Sequence, residues 1–214
     1  MSACLLKKVF LVILSVLLVF SLSACNSREE AKEESEPVQK TYPLHTIGVG
    51  DTIRNDTVVI TIDQVGSADQ LLPSDPTGYI YMTQPDKENE TYFYATGTIK
   101  NISGETVSIG GLYSRLEFDG KYHYDATIRQ DIDGDFFFGP IKPLETIRYY
   151  VFASVPDEMA DSYTTCKIQF AFRDDFKYVI NTGFDRYENR YEITLSRDAI
   201  PHVNPGRTPD PYTF

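Results

Sequence analysis

Asp131-Ile-Asp133-Gly-Asp135 is the sharpest candidate for chemistry in this chain, because three alternate carboxylates fall within five residues. Carboxylate oxygens at that spacing suit Ca2+, which takes roughly six to eight oxygen ligands. Against the EF-hand loop, Gly134 stands at the fourth position instead of the sixth, and Lys142 occupies the twelfth, where glutamate is required. The competing reading is a solvated acidic loop that turns at Gly134. To complete a cation site, Asp125 or the Asp174-Asp175 pair would have to approach in space. Phe136-Phe137-Phe138 follows directly, ahead of Gly139-Pro140. Three consecutive rings break the alternation of a strand, so at least one of them faces solvent unless the strand is covered on both sides. An exposed ring beside an acidic loop can seat a partner or stack on a sugar. The chain has 15 Tyr and 13 Phe but no Trp, so sugar stacking lacks its commonest platform.

Catalytic constellations are not legible. His45, His123 and His202 lie in a segment leading into the domain, a hairpin strand and a tail, with no His-x-x-x-His spacing for zinc. There is no Gly-x-Ser-x-Gly elbow and no glycine-rich phosphate loop. Cys166 opens Cys166-Lys-Ile168-Gln-Phe170-Ala-Phe172, whose alternate residues are apolar, so it reads as a small buried hydrophobe and not a nucleophile. Asn55-Asp-Thr57, Asn89-Glu-Thr91 and Asn101-Ile-Ser103 match the glycosylation pattern but read as turns. An enzyme is therefore not expected. No cofactor is expected beyond Ca2+ at the acidic loop.

The remaining chemical group is the thiol of Cys25. Lys7 and Lys8 precede an apolar run from Val9 to Phe20, which leads into Leu22-Ser23-Ala24-Cys25. That is the three-part layout of a secretory signal, and its end resembles the lipobox of bacterial lipoproteins. The resemblance implies that Cys25 receives a diacylglyceryl group after removal of residues 1–24. As a membrane span the apolar run is too short, since crossing takes about 20 residues. Two acyl chains on one cysteine make a stable anchor where one would be marginal.

The elements that position these groups follow from composition and periodicity. Of 214 residues, cleavage leaves 190, enough for one domain with tails. It removes Lys7 and Lys8 and no acid, taking the net charge from −11 to −13. Such a surface repels phosphates and argues against nucleic acid as a partner. Residues 25–41 hold Glu29, Glu30, Glu33, Glu34 and Glu36 and read as a disordered acidic tether. From residue 42 the pattern has period two. Val58, Ile60 and Ile62 point one way, as do Phe93, Ala95, Gly97 and Ile99, with Tyr92 and Tyr94 opposite. Asp119-Gly120 between two apolar runs predicts a hairpin. Further strands are expected at 113–118, 121–128, 146–155, 164–172, 176–180 and 190–195. Eight or so strands without intervening helices imply an all-β, antiparallel sandwich over 42–199. Pro201, Pro205, Pro209 and Pro211 mark a tail over 200–214. The stretch from Gly66 to Glu90 is the least regular, with Tyr79 and Tyr81 at a short edge strand or a binding loop, and Leu71-Leu72 capping one end of the core.

Several of these stretches resemble a domain common in Gram-positive surface lipoproteins. The matching residues are Ile47-Gly-Val-Gly-Asp51-Thr52-Ile53, then Tyr92 to Asn101 with Ile-Ser-Gly-Glu105-Thr-Val107, and Pro143-Leu-Glu145-Thr146 running to Val155-Pro156. Leu144 departs from the family, which usually has Gly there. That family is an immunoglobulin-like sandwich of unknown function, akin to secreted immunoprotective antigens. The resemblance implies a binding module with no catalytic residues to carry over. The expectation is a lipid-anchored module on the outer face of the cell membrane. It would be held through Cys25 and would bind a protein or envelope polymer through Tyr79, Tyr81, Phe136, Phe137 and Phe138. The alternative is a subunit that binds Ca2+ or a small ligand at Asp131, Asp133 and Asp135.

Overall fold

The computed structural model describes residues 42–74, 83–85, 87–178 and 183–202. The signal, Cys25 and the acidic tether lie outside the described residues, as do Tyr79, Tyr81 and residues 203–214.

In chain order the strands are β1 (Leu44–Thr46), β2 (Thr52–Arg54), β3 (Val58–Thr61), β4 (Gln64–Ala68), β5 (Glu90–Asn101), β6 (Val107–Ser108) and β7 (Tyr113–Phe118). There follow β8 (Tyr122–Asp125), β9 (Thr127–Ile132), β10 (Asp135–Phe137), β11 (Pro140–Ile141) and β12 (Thr146–Pro156). A six-residue helix, α1 (Asp157–Ser162), precedes β13 (Thr165–Phe172) and β14 (Asn189–Ser196). One sheet has the order β1-β14-β13-β7-β8. The other runs β10-β9-β12-β5-β3-β2, with β4 continuing beside β5 after a kink at Ile62-Asp63. The protein is an all-β sandwich. Among the described residues its strand-to-strand pairings are antiparallel except for β1, which lies parallel to β14, Leu44 opposite Arg190. An isolated parallel bridge joins Ser67 to His202.

The two inner faces meet in one core. Val58, Ile60 and Ile62 are fully buried in it, as the alternation requires, with Phe93, Ala95 and Ile99 from β5. Cys166, Ile168, Phe170 and Phe172 answer them from β13. Phe93 and Phe118 bridge the sheets edge to face at 5.0 Å, and Tyr163 closes the group at 5.5 and 5.1 Å. Burying such a side chain contributes about 1.5–3 kcal/mol. Tyr92 and Tyr94 point out of the sandwich, yet they are buried too. With Ala68, Leu71, Tyr150 and Phe152 they form a second, smaller core on the outer face. Leu71 therefore caps this outer cluster and not an end of the main core. Leu71 and Thr83 pair main chain to main chain, with N–O distances of 2.9 and 3.0 Å.

Several expectations are corrected. The stretch expected as a single strand over 121–128 divides at Ala126, where the chain leaves one sheet as β8 and joins the other as β9. Phe176 and Lys177 are not in a strand, because Phe176 sits at φ 51° in a tight turn whose amide bonds to Arg173 O at 3.0 Å. Both Asp-Gly pairs turn hairpins with positive φ, 52° and 67° at Asp119-Gly120 and 51° and 81° at Asp133-Gly134.

Candidate binding surface

The acidic stretch is a hairpin, and a hairpin separates alternate side chains. Asp131 lies opposite Phe136, and Ile132 opposite Asp135, so Asp131 and Asp135 project from opposite faces while Asp133 sits in the turn. The side chain of Asp131 is 98% buried. It accepts the amide of Ser74 at 2.9 Å and lies 4.0 Å from Arg148 Nε. Asp125 is occupied by the Tyr113 hydroxyl at 2.7 Å, and Asp174 by Asn189 at 2.8 Å. The three carboxylates singled out from sequence do not converge. Among the described residues, no group of three or more His, Cys, Asp or Glu side chains is placed to hold a metal ion. The period-two backbone that makes the hairpin is the reason.

The aromatic run divides in a different way. Phe136 packs inward, edge to face on Tyr150 at 5.3 Å, and belongs to the outer core. Phe137 and Phe138 are 48% and 57% exposed. After β10 the chain turns at Gly139 into β11, which pairs with β6, and Ile109 N bonds to Gly139 O at 3.1 Å. That pairing brings Phe138 above Gly110. From the other side comes Tyr178, 61% exposed. Its segment is pinned at Asp174, whose carbonyl accepts Asn55 Nδ2 at 3.0 Å and Thr57 Oγ1 at 2.7 Å, and it is sunk by the fully buried Phe176.

Gly110 and Gly111 make this meeting possible. A Cβ on Gly111 would lie 2.1 Å from Phe176 O, so only glycine lets that backbone approach. A Cβ on Gly110 would lie 2.7 Å from Phe138 Cζ and 3.1 Å from Tyr178 Cδ2. Two exposed rings thus converge over one bare stretch of main chain, held by the Ser108 hydroxyl that accepts Gly110 N at 3.2 Å. Hollows of about 320 and 300 Å3 flank the rings, and Tyr178 lines both. The first is walled by Thr57, Ser103, Thr106 and Ser108, the second by Tyr113, Thr127 and Tyr187. Tyr113 and Tyr187 stack at 5.5 Å, and burial together with the Asp125 bond drives the Tyr113 hydroxyl well above the usual tyrosine range. The sequence analysis names Phe138 and does not name Tyr178, for which the adjacent glycines Gly110-Gly111 were the signal available.

A larger hollow of about 500 Å3 opens at α1, with Phe93 and Tyr163 in its lining and Asp157, Asp161, Arg197 and Asp198 among its polar groups. Here Ser67 Oγ lies 3.2 Å from His202 Nδ1, and His202 Nε2 lies 3.5 Å from Asp69. The order of groups is that of a hydrolytic triad, but the setting is not. Asp69 and His202 are 85% and 58% exposed, so water screens their attraction. The Ser67 amide is spent on Pro201 O at 2.9 Å. The arrangement clasps the strand-like residues 201–202 to β4. Of the other histidines, His45 stacks on Tyr191 and His123 faces Glu117 at 3.7 Å. Cys166 is fully buried, and desolvation pushes its thiol up to about 12, so it is a core hydrophobe.

The chain is similar to a solved structure of an uncharacterized β-sandwich protein from Clostridium difficile. The two share 18% identity over 75% of this chain and 99% of that one, with a TM-score of 0.58. That likeness shows the fold. The yjhA protein from Bacillus subtilis is similar at 12% identity over 69% of this chain and 98% of its own, with a TM-score of 0.38. No protein-family model matches the chain, and no curated protein matches it.

Proposed function

We propose that this protein is a non-catalytic binding module, lipid-anchored through Cys25 on the outer face of the cell membrane. The single observation that carries the binding role is the pair of exposed rings, Phe138 and Tyr178, meeting over Gly110 between two hollows. Large exposed aromatics grouped in this way are uncommon on a surface with no partner. The anchor rests on the sequence alone, on Lys7-Lys8, the apolar run and Leu22-Ser23-Ala24-Cys25. Its partner is a component of the cell envelope, a protein or a polymer, and not a nucleic acid, given the net charge of −11.

Two measurements test this reading. Mass spectrometry of the protein from its native host should find acyl chains on Cys25 as the first residue; an unmodified Cys25 overturns the anchor. A photo-crosslinking residue at position 138 of the anchored protein should capture an envelope component that the same residue at position 121, in the β7–β8 turn, does not. Equal capture at both positions, or none, overturns the binding surface.

A further inference from the structure

The geometry points to an uncharged glycan strand as the ligand of the Phe138–Tyr178 cleft, an inference that rests on the binding-module reading and gives it a chemical class. Three observations converge. First, the cleft offers ring faces and hydroxyls together. Phe138 and Tyr178 present exposed rings, while Thr106 and Thr127 line the hollows beside them, together with Ser108, whose hydroxyl accepts Gly110 N, and Thr57, whose hydroxyl donates to Asp174 O. A sugar ring has that same pairing, with apolar C–H faces that lie on an aromatic ring and a rim of hydroxyls. Hydroxyl groups serve it well because each can donate and accept.

Second, the charges around the cleft are mixed in sign and favour neither an anionic nor a cationic ligand, with Glu105, Asp175 and Lys177 lining one hollow and Arg129 the other. Asp175 lies 3.5 Å from both Arg173 Nε and Lys177 Nζ, and its carboxylate also accepts the Lys177 amide. Arg129 donates to its own neighbour's carbonyl, Ile128 O, at 2.8 Å. On a chain of net charge −11, an anionic polymer would meet repulsion from the whole surface. An uncharged one meets none.

Third, the shape is that of a track and not of a single pocket. Two hollows of about 320 and 300 Å3 share Tyr178 as a common wall, so a ligand filling both must pass over that ring. Each hollow sits near the lower size limit for a small-molecule site of about 300 Å3. A polymer with a repeating unit could place one unit in each hollow.

The test uses the full chain in detergent micelles, titrated by calorimetry with neutral hexasaccharides of β-1,4-linked glucose and of β-1,4-linked N-acetylglucosamine, and with poly-L-glutamate. At least one neutral hexasaccharide should bind and poly-L-glutamate should not. Phe138→Ala and Tyr178→Ala should each weaken binding about tenfold, in line with the loss of one stacked ring. Both residues are mostly exposed, so their melting temperatures should match the parent. Gly110→Ala removes no ring; its methyl pushes Phe138 and Tyr178 aside, and it should weaken binding as much. Absence of binding to both neutral hexasaccharides at about 10 mM overturns the inference. So does binding that the three variants leave unchanged, or binding of poly-L-glutamate in preference. If position 138 crosslinks to an envelope protein while no sugar binds, the glycan fails and the binding module survives. If neither occurs, both fall.

Discussion

Asp119 Oδ1 accepts the backbone amide of Thr165 at 2.9 Å, and that of Thr164 reaches the same oxygen at 2.9 Å. One carboxylate in the β7–β8 turn thereby ties that hairpin to the start of β13. The Thr165 amide first, and then that of Thr164, hold its pKa below the ordinary 3.8. A depressed folded-state pKa gives stability that is present above about pH 4 and lost as pH falls through the folded value. Asp119→Asn keeps an acceptor but no charge, and asparagine tolerates the φ of 52° at this position. The melting temperature of the parent should therefore drop more steeply between about pH 4 and pH 2 than that of the variant. Parallel curves would show that this carboxylate carries no pH-dependent stability.

Leu144 is 74% exposed and holds φ at 65° in the turn before Glu145. That backbone conformation favours glycine. A side chain in the left-handed region costs about 1–2 kcal/mol, part of which glycine gives back through its greater freedom when unfolded. Leu144→Gly should stabilise the protein by about 0.5–1 kcal/mol in urea unfolding, a rise of about 2–4 °C per kcal/mol in melting temperature for a domain of this size. The Leu144 amide keeps its bond to Asn101 O at 3.0 Å in either case. A loss of stability would mean that the turn does not strain this residue.

Asp131 has a structural task, holding the Ser74 amide and facing Arg148. Adding millimolar Ca2+ should leave the melting temperature of the parent where it was, because a ligand that does not bind the folded state cannot stabilise it. Asp131→Ala should cost about 1–2 kcal/mol, since the Ser74 amide loses its acceptor and Arg148 its neighbouring anion. A Ca2+-dependent rise in the parent, absent from Asp131→Ala, would reverse this assignment.

How far the sequence reached depends on what each residue reports. Alternation in Val58-Ile60-Ile62 and Phe93-Ala95-Ile99 located the inner faces, because a strand has one geometry and burial selects one side of it. Asn101 read as a turn residue, and it is fully buried, binding Glu105 O, Ile141 O and Ser103. The outer core was hidden, since Tyr92 and Tyr94 look amphipathic until Leu71 is known to cover them. The acidic run was misleading for a related reason. Asp131, Asp133 and Asp135 are close in number, but pleating sends Asp131 and Asp135 apart. Tyr178 was the hardest to place, because its neighbour Gly110 is 68 positions away and the Gly110-Gly111 pair marks a close approach without naming the partner.

Arg190, nearly buried, donates one guanidinium nitrogen to Asp185 at 2.6 Å and another to the carbonyl of Tyr42. Just beyond, β1 lies along β14 with Ile47 N bonded to Glu192 O at 3.0 Å. A mechanical pull arriving through the chain ahead of Tyr42 thus meets a charged clamp before it meets the sheet. When the pull runs lengthwise along β1, the strand's bonds to β14 share the load together instead of peeling one by one. A domain loaded through the chain ahead of Tyr42 would resist tearing at the place where tearing would begin.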